Sequence, residues 1–133
     1  HPDETLEIWN KEEVLSDVVW TIRTFKPDVI INRFNHRTPG TTHGHHTSSA
    51  MLSVTAFDLA NDENRFANQL EYTDTWQPRR LFFNTSSWFY NDKNQFKEAS
   101  KNFTQLDVGV YYPLKGFSNK EFSTFPFFLL KRP

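Results

Sequence analysis

Val14, Leu15, Val18, Val19, Ile22 and Phe25 recur at intervals of three and four, with Glu12, Asp17 and Arg23 between them. That period predicts an amphipathic helix whose apolar stripe is buried and whose charged residues, Arg23 included, face water. Asn10 and Glu13 form a capping-box-like pair at its start, the Asn side chain being able to accept from the first free backbone amides. Pro27 closes the helix, because the residue before a proline avoids the helical region. Residues 28–34, DVIINRF, then form a β-branched run with the length of a buried strand. Helix, tight break and apolar strand make half of a βαβ unit.

Residues 35–42, NHRTPGTT, are polar and contain the chain's only Pro-Gly pair, which predicts a loop. Beyond it, Ala50, Met51, Leu52, Val54, Ala56, Phe57, Leu59 and Ala60 are apolar on most sides of a helix, so that helix should be largely buried and end at Asn61-Asp62. Residues 61–78 read as irregular, with one short helical turn over 65–70. Residues 80–85 (RLFFNT) predict a second strand, 86–103 a polar insertion dotted with aromatics, and 106–112 (LDVGVYY) a third strand at a sheet edge. Helices alternating with short apolar strands mean an α/β fold, and such folds place their functional groups in loops beyond the strand ends. The chain has no internal repeat and no low-complexity tract.

Composition narrows the function less than the pattern does. A length of 133 residues suits one domain. A formal charge of −1 gives no electrostatic reason to expect nucleic acid or an acidic membrane as partner. No apolar run approaches a membrane span, and the N-terminus does not read as a signal peptide. The absence of cysteine excludes disulfides and thiolate metal ligands, and leaves the compartment open. The 14 Phe residues exceed what a small core consumes, so some are expected to line a cleft or meet other parts of a larger protein.

The candidate chemistry lies in residues 41–51, THGHHTSSAML, which hold three of the five histidines. His43 and His46 are three apart at a helix start and should share a face, whereas His45 should project elsewhere. A helix N-terminus disfavours the imidazolium, leaving a neutral ring able to bind metal. Two histidines are too few for a catalytic zinc, which takes three protein ligands and one water. Without cysteine, the others must be His, Asp or Glu. The rival reading is a solvated or capping pair.

The surrounding words are more specific. INRFNHRTPGTTHGHHTSSAMLSVTAFDLAND, followed by RFANQLEYTDTWQPRRLFFNTSSWF, resembles the PIG-L/LmbE-type zinc-dependent N-deacetylases over residues 10–115. The likeness rests on a strand, a His-x-x-His helix start, an apolar helix, a Phe-x-x-Gln-Leu segment and a Trp-x-Pro-x-x-Leu strand entry. It implies a Rossmann-like, three-layer fold, here the C-terminal portion of the domain. It further implies Zn²⁺-dependent removal of an N-acetyl group from a small N-acetylglucosamine-type substrate. By this resemblance His46 is a zinc ligand, His43 the catalytic histidine and His45 a variable residue between them. His43 must be protonated to act, which needs a carboxylate partner such as Asp28 or a residue outside the chain. Arg33, His36 and Arg37 flank the pocket loop as candidate substrate-binding residues. Trp88, Phe89 and Tyr90 are candidates for stacking on a sugar or for packing.

His1-Pro2-Asp3-Glu4 imitates the family's His-Pro-Asp-Asp metal motif. Glu4 replaces the second Asp, no strand comes before it, and the interval to His43 is short. The expectation is that this is a decoy and that the remaining zinc ligands lie upstream of the chain. Residues 1–116 are then a partial deacetylase-like domain, and 117–133 an aromatic tail that departs from the family, with Pro126 breaking any helix there. The alternative function is a catalytically incomplete remnant or a carbohydrate-binding α/β module.

Overall fold

In a computed structural model describing residues 1–38, 41–105 and 109–122, the first apolar stripe forms helix α2 (Lys11–Phe25), behind a shorter α1 (Pro2–Ile8). Leu15, Val19 and Ile22 are buried, whereas Phe25, on the helix's last position, is 80% exposed. The capping pair differs from expectation. Asn10 sits in the left-handed region at φ 55° and makes no side-chain cap bond. Its amide instead donates to Glu13 Oε2 at 3.0 Å. At the other end Lys26 turns left-handed at φ 53°, its N–H donating to Ile22 O, before Pro27 leads into the strand.

Strand β1 (Val29–Asn32) pairs in parallel with β2 (Arg80–Phe83), in register from Val29↔Arg80 to Asn32↔Phe83. Between them in sequence runs helix α3 (Gly44–Leu59), so the second half of the βαβ unit is present. The described fold is thus a small mixed α/β arrangement with a short parallel sheet. Helices α1 and α2 both pack against α3, closing a core of Leu6, Leu15, Val19, Ile22, Leu52, Ala56 and Ala60. Burying each of the larger aliphatic side chains stabilises the fold by about 1.5–3 kcal/mol. The small residues of α3 let its neighbours approach closely. On one sheet face Val29, Ile31 and Phe82 remain substantially exposed.

Arg23 corrects the sequence reading, because it is fully buried rather than facing water. Its Nε donates to Ala60 O (3.1 Å), and Nη1 to Phe66 O (3.1 Å) and Gln69 Oε1 (3.0 Å). Nη2 donates to Asp62 O (2.7 Å) and Arg65 O (2.9 Å). The physical reason lies in the α3–β2 connection. It turns irregularly, apart from a 3-10 turn at Ala67–Glu71, and directs several carbonyls inward. A guanidinium offers five donors in one plane, so a single side chain satisfies them all. Burial holds its pKa below the ordinary value, opposed by the charge of Asp62.

The chain divides into two compact units at Asn91/Asp92. The second contains helix α4 (Lys93–Ser100), capped by Asp92 Oδ1 accepting from Asn94 N at 3.1 Å. Strands β3 (Tyr111–Tyr112) and β4 (Phe117–Ser118) pair antiparallel and lead into α5 (Asn119–Phe122). The strand expected over 106–112 is therefore shorter where it is described, and its pairing is a hairpin. Gly116 adopts φ 78° in the connecting turn, which glycine accommodates without strain. Residues 106–108, and the aromatic tail from 123 onward, lie outside the described residues.

Candidate metal and substrate site

The βαβ connection brings the C-terminal end of β1 beside the first turns of α3. Phe34, just past the strand, lies flat on the His46 ring, with centroids 4.0 Å apart and planes 6° from parallel. Phe89 meets Phe34 edge-on at 6.3 Å, and Trp88, 78% exposed, meets Phe89 edge-on at 5.0 Å. A cavity of about 240 Å³ opens here, lined by Asn32, Arg33, Phe34, His46, Ser49 and Ala50.

His43 is the N-cap of α3, in extended conformation, and His46 lies in the first turn. Their rings are 5.5 Å apart, so the expected pairing is present. His45 departs from its expectation, since its ring is 4.2 Å from His46 and stacked with His43 at 5.7 Å. The reason is that His43 stands outside the helix, so helical angular spacing does not separate its ring from that of His45. His46 Nδ1 is buried and has no hydrogen-bond partner. Its imidazole pKa is lowered by burial first, then by the neighbouring His45 and His43. The shift has the direction expected for this helix start, but its leading cause is burial.

The other candidates separate. Arg33 lines the cavity, with its guanidinium carbon 5.8 Å from the Phe34 ring centroid. Arg37 Nε lies 3.3 Å from His36 Nε2 as donor, and Arg37 N donates to Asn35 Oδ1. Asp28, the proposed partner of His43, instead pairs with Arg79 at 3.2 Å. Asp28 stands just before the start of β1, whereas His43 caps the helix that follows the strand's other end.

Residues 1–4 begin a helix instead of ending a strand. His1 Nδ1 lies 3.0 Å from Asp3 Oδ2. The segment nevertheless reaches the histidine turn through its backbone. Ser48 Oγ donates to Pro2 O at 3.0 Å and to Gly44 O at 2.9 Å. A Cβ on Gly44 would lie 2.8 Å from Thr5 Oγ1 and 3.0 Å from His1 O. Sequence reasoning missed this contact, and it also missed Asn32, Phe34, Ser49 and Ala50 as cavity walls. The small run Gly44, Thr47, Ser48 was the available signal that another element approaches α3 closely.

Among the described residues no group of three His, Cys, Asp or Glu side chains is arranged to hold a metal ion. The buried, unpartnered nitrogen of His46 fits one ligand position, and the set present does not fill a zinc site. No described helix is long and apolar enough to cross a membrane. No protein-family model, no curated protein and no solved structure matches the chain.

Proposed function

We propose that this chain is part of a zinc-dependent hydrolase that removes an N-acetyl group from a small N-acetylglucosamine-type substrate. The finer architecture that goes with this reading is the Rossmann-like, three-layer PIG-L/LmbE fold, of which the βαβ unit would be a portion. The observation that supports it most is His46. It stands in the first turn of α3 with its imidazole pKa lowered, and one of its ring nitrogens is buried and unpaired beside a cavity.

In this reading His46 is one ligand, and the others come from outside these 133 residues. Bound zinc supplies Lewis acidity. His43 holds a proton for the leaving amine or donates a hydrogen bond to the developing oxyanion. It is exposed at the N-cap, and its ring neighbours His46. Phe34 and Ala50 give the acyl group an apolar wall that excludes water.

The test is a Zn²⁺ titration of the purified chain followed by NMR of the imidazole rings, with acetate release from small N-acetylglucosamine derivatives measured on a longer protein that carries these residues and the remaining ligands. Zinc should perturb the His46 ring first, and His46→Ala should abolish that response. Zinc that leaves His46 untouched sinks the ligand assignment. If His46 binds zinc but a longer protein carrying these residues and the remaining ligands releases no acetate, the remnant or carbohydrate-binding alternative describes these residues. Acetate release lost in His43→Ala supports the hydrolase.

A further inference from the structure

We propose that the cavity at the end of β1 takes a ligand bearing an anionic group, a phosphate or a carboxylate, and that Arg33 is the residue that selects it. The proposal rests on the site reading above for the cavity's role as substrate pocket, and its chemistry is argued independently.

Between Asp28 and Asp58 the sequence contains no Asp or Glu, although the chain has 16 such residues. The same interval contains Arg33, Arg37 and four of the five histidines, and it builds β1, the loop beyond it and nearly all of α3. A concave site whose walls come from an acid-free, cation-bearing segment favours anions electrostatically.

The cations of the described residues have different partners. Arg23 is saturated by its five acceptors. Arg65 pairs with Glu12 at 2.9 Å and Arg79 with Asp28 at 3.2 Å. Arg37 turns to its neighbour His36. Among the described residues Arg33 has no carboxylate within salt-bridge distance, and it lines the cavity. Its guanidinium approaches Phe34, the ring that stacks on His46, so the cation stands near the face that bears the candidate ligand. Asp3, on the helix that packs against this turn, is engaged by His1. A guanidinium with unused donors is suited to bidentate recognition of phosphate or carboxylate.

The test uses the full chain without metal, titrated with inorganic phosphate at constant ionic strength against chloride, and followed by NMR at the Arg33 side-chain N–H and the Phe34 and Ser49 amides. Saturable shifts at these positions are expected. Arg33→Gln should weaken the apparent affinity by about tenfold, the scale of a lost charge-assisted pair. Arg33→Lys should retain part of it, and Arg79→Gln, whose side chain is paired with Asp28, should leave it within about twofold. Replacing phosphate with acetate distinguishes a phosphate-bearing from a carboxylate-bearing ligand. Shifts that do not saturate, that chloride reproduces, or that survive in Arg33→Gln overturn the proposal. The hydrolase reading stands or falls separately, because zinc and acetate release play no part in this measurement.

Discussion

Replacing Arg23 with Met keeps an unbranched side chain of similar reach and removes all five donors. Two of its five bonds, to Ala60 O and Gln69 Oε1, are buried. The other three, to Asp62, Arg65 and Phe66 carbonyls, are part-buried, where water can replace the lost donor. An unpaired buried acceptor costs about 1–3 kcal/mol, so the two buried ones lose about 2–6 kcal/mol between them. Relief from desolvating the cation offsets part of this, and the expected net loss is about 2–4 kcal/mol. Against a domain stability of about 5–15 kcal/mol, that is a large fraction. Urea unfolding followed by tryptophan fluorescence measures it. Trp76 is a suitable reporter, since its indole N–H donates to Pro27 O at 2.8 Å across the base of the same connection. Arg23→Lys keeps a charge but presents at most three donors from one atom, so it should fall between wild type and Met. A loss below about 1 kcal/mol for Met would refute the reasoning, because the acceptors would then have found other partners. Lys equalling Arg would do the same, because charge alone, without the planar fork, would then suffice.

Gly44→Ala should destabilise the chain by about 1–3 kcal/mol through overpacking, because its Cβ would press on Thr5 Oγ1 and the His1 carbonyl. Thr5→Ala in the same chain should recover part of that loss in a urea midpoint comparison, and no recovery would place the strain elsewhere. The lowered His46 pKa fixes a sign for pH dependence. The unfolded ring takes up a proton near its ordinary value while the folded ring resists, so stability should be full above pH about 6.5 and decline as pH falls below it. Urea midpoints between neutral and mildly acidic pH test this, and His46→Gln should flatten the curve. The sheet face of Val29, Ile31 and Phe82, exposed at 45%, 58% and 38%, should drive self-association, because parallel sheets are ordinarily covered on both faces. Sedimentation velocity should show association that Ile31→Lys reduces, and a monomer at every concentration would contradict it.

The periodic elements were legible from the chain because their signals are local. The stripe of α2, the β-branched run of β1 and the apolar stretch of α3 each predict an element found in place. The His43–His46 pairing was legible too, since an N-cap residue adjoins the first turn that begins beside it. What sequence reading misjudged depends on distant segments. Arg23 occupies a polar place in the α2 pattern, yet its partners are 37 to 46 residues away in a connection without regular structure. His45 was misjudged because the extended N-cap conformation of His43 is set by the incoming loop. Asp28 was misassigned because its partner Arg79 becomes its neighbour only once β1 and β2 pair.

These corrections bear on how the site divides its chemistry. A histidine can offer a lone pair only while neutral, and burial together with the neighbouring His45 and His43 lowers the pKa of His46, on whose ring Phe34 is stacked. The same surroundings oppose a charge on His46, so that ring is a poor partner for an anion. A guanidinium keeps its charge far above that range, and Arg33 stands exposed at the rim rather than buried like Arg23. One side of the cavity thus favours a neutral nitrogen donor and the other a permanent cation, a separation that neither residue type could provide alone. The acid-free stretch between Asp28 and Asp58 permits both at once. A carboxylate beside the histidines would raise their proton affinity, and one beside Arg33 would occupy its donors. Introducing an acid at Ser49, a cavity wall, should therefore disturb both properties together. Ser49→Asp is expected to weaken phosphate binding and to raise the pKa of His46, read from one pair of NMR titrations. If only one of the two moves, the cation and the histidine do not share a common electrostatic environment.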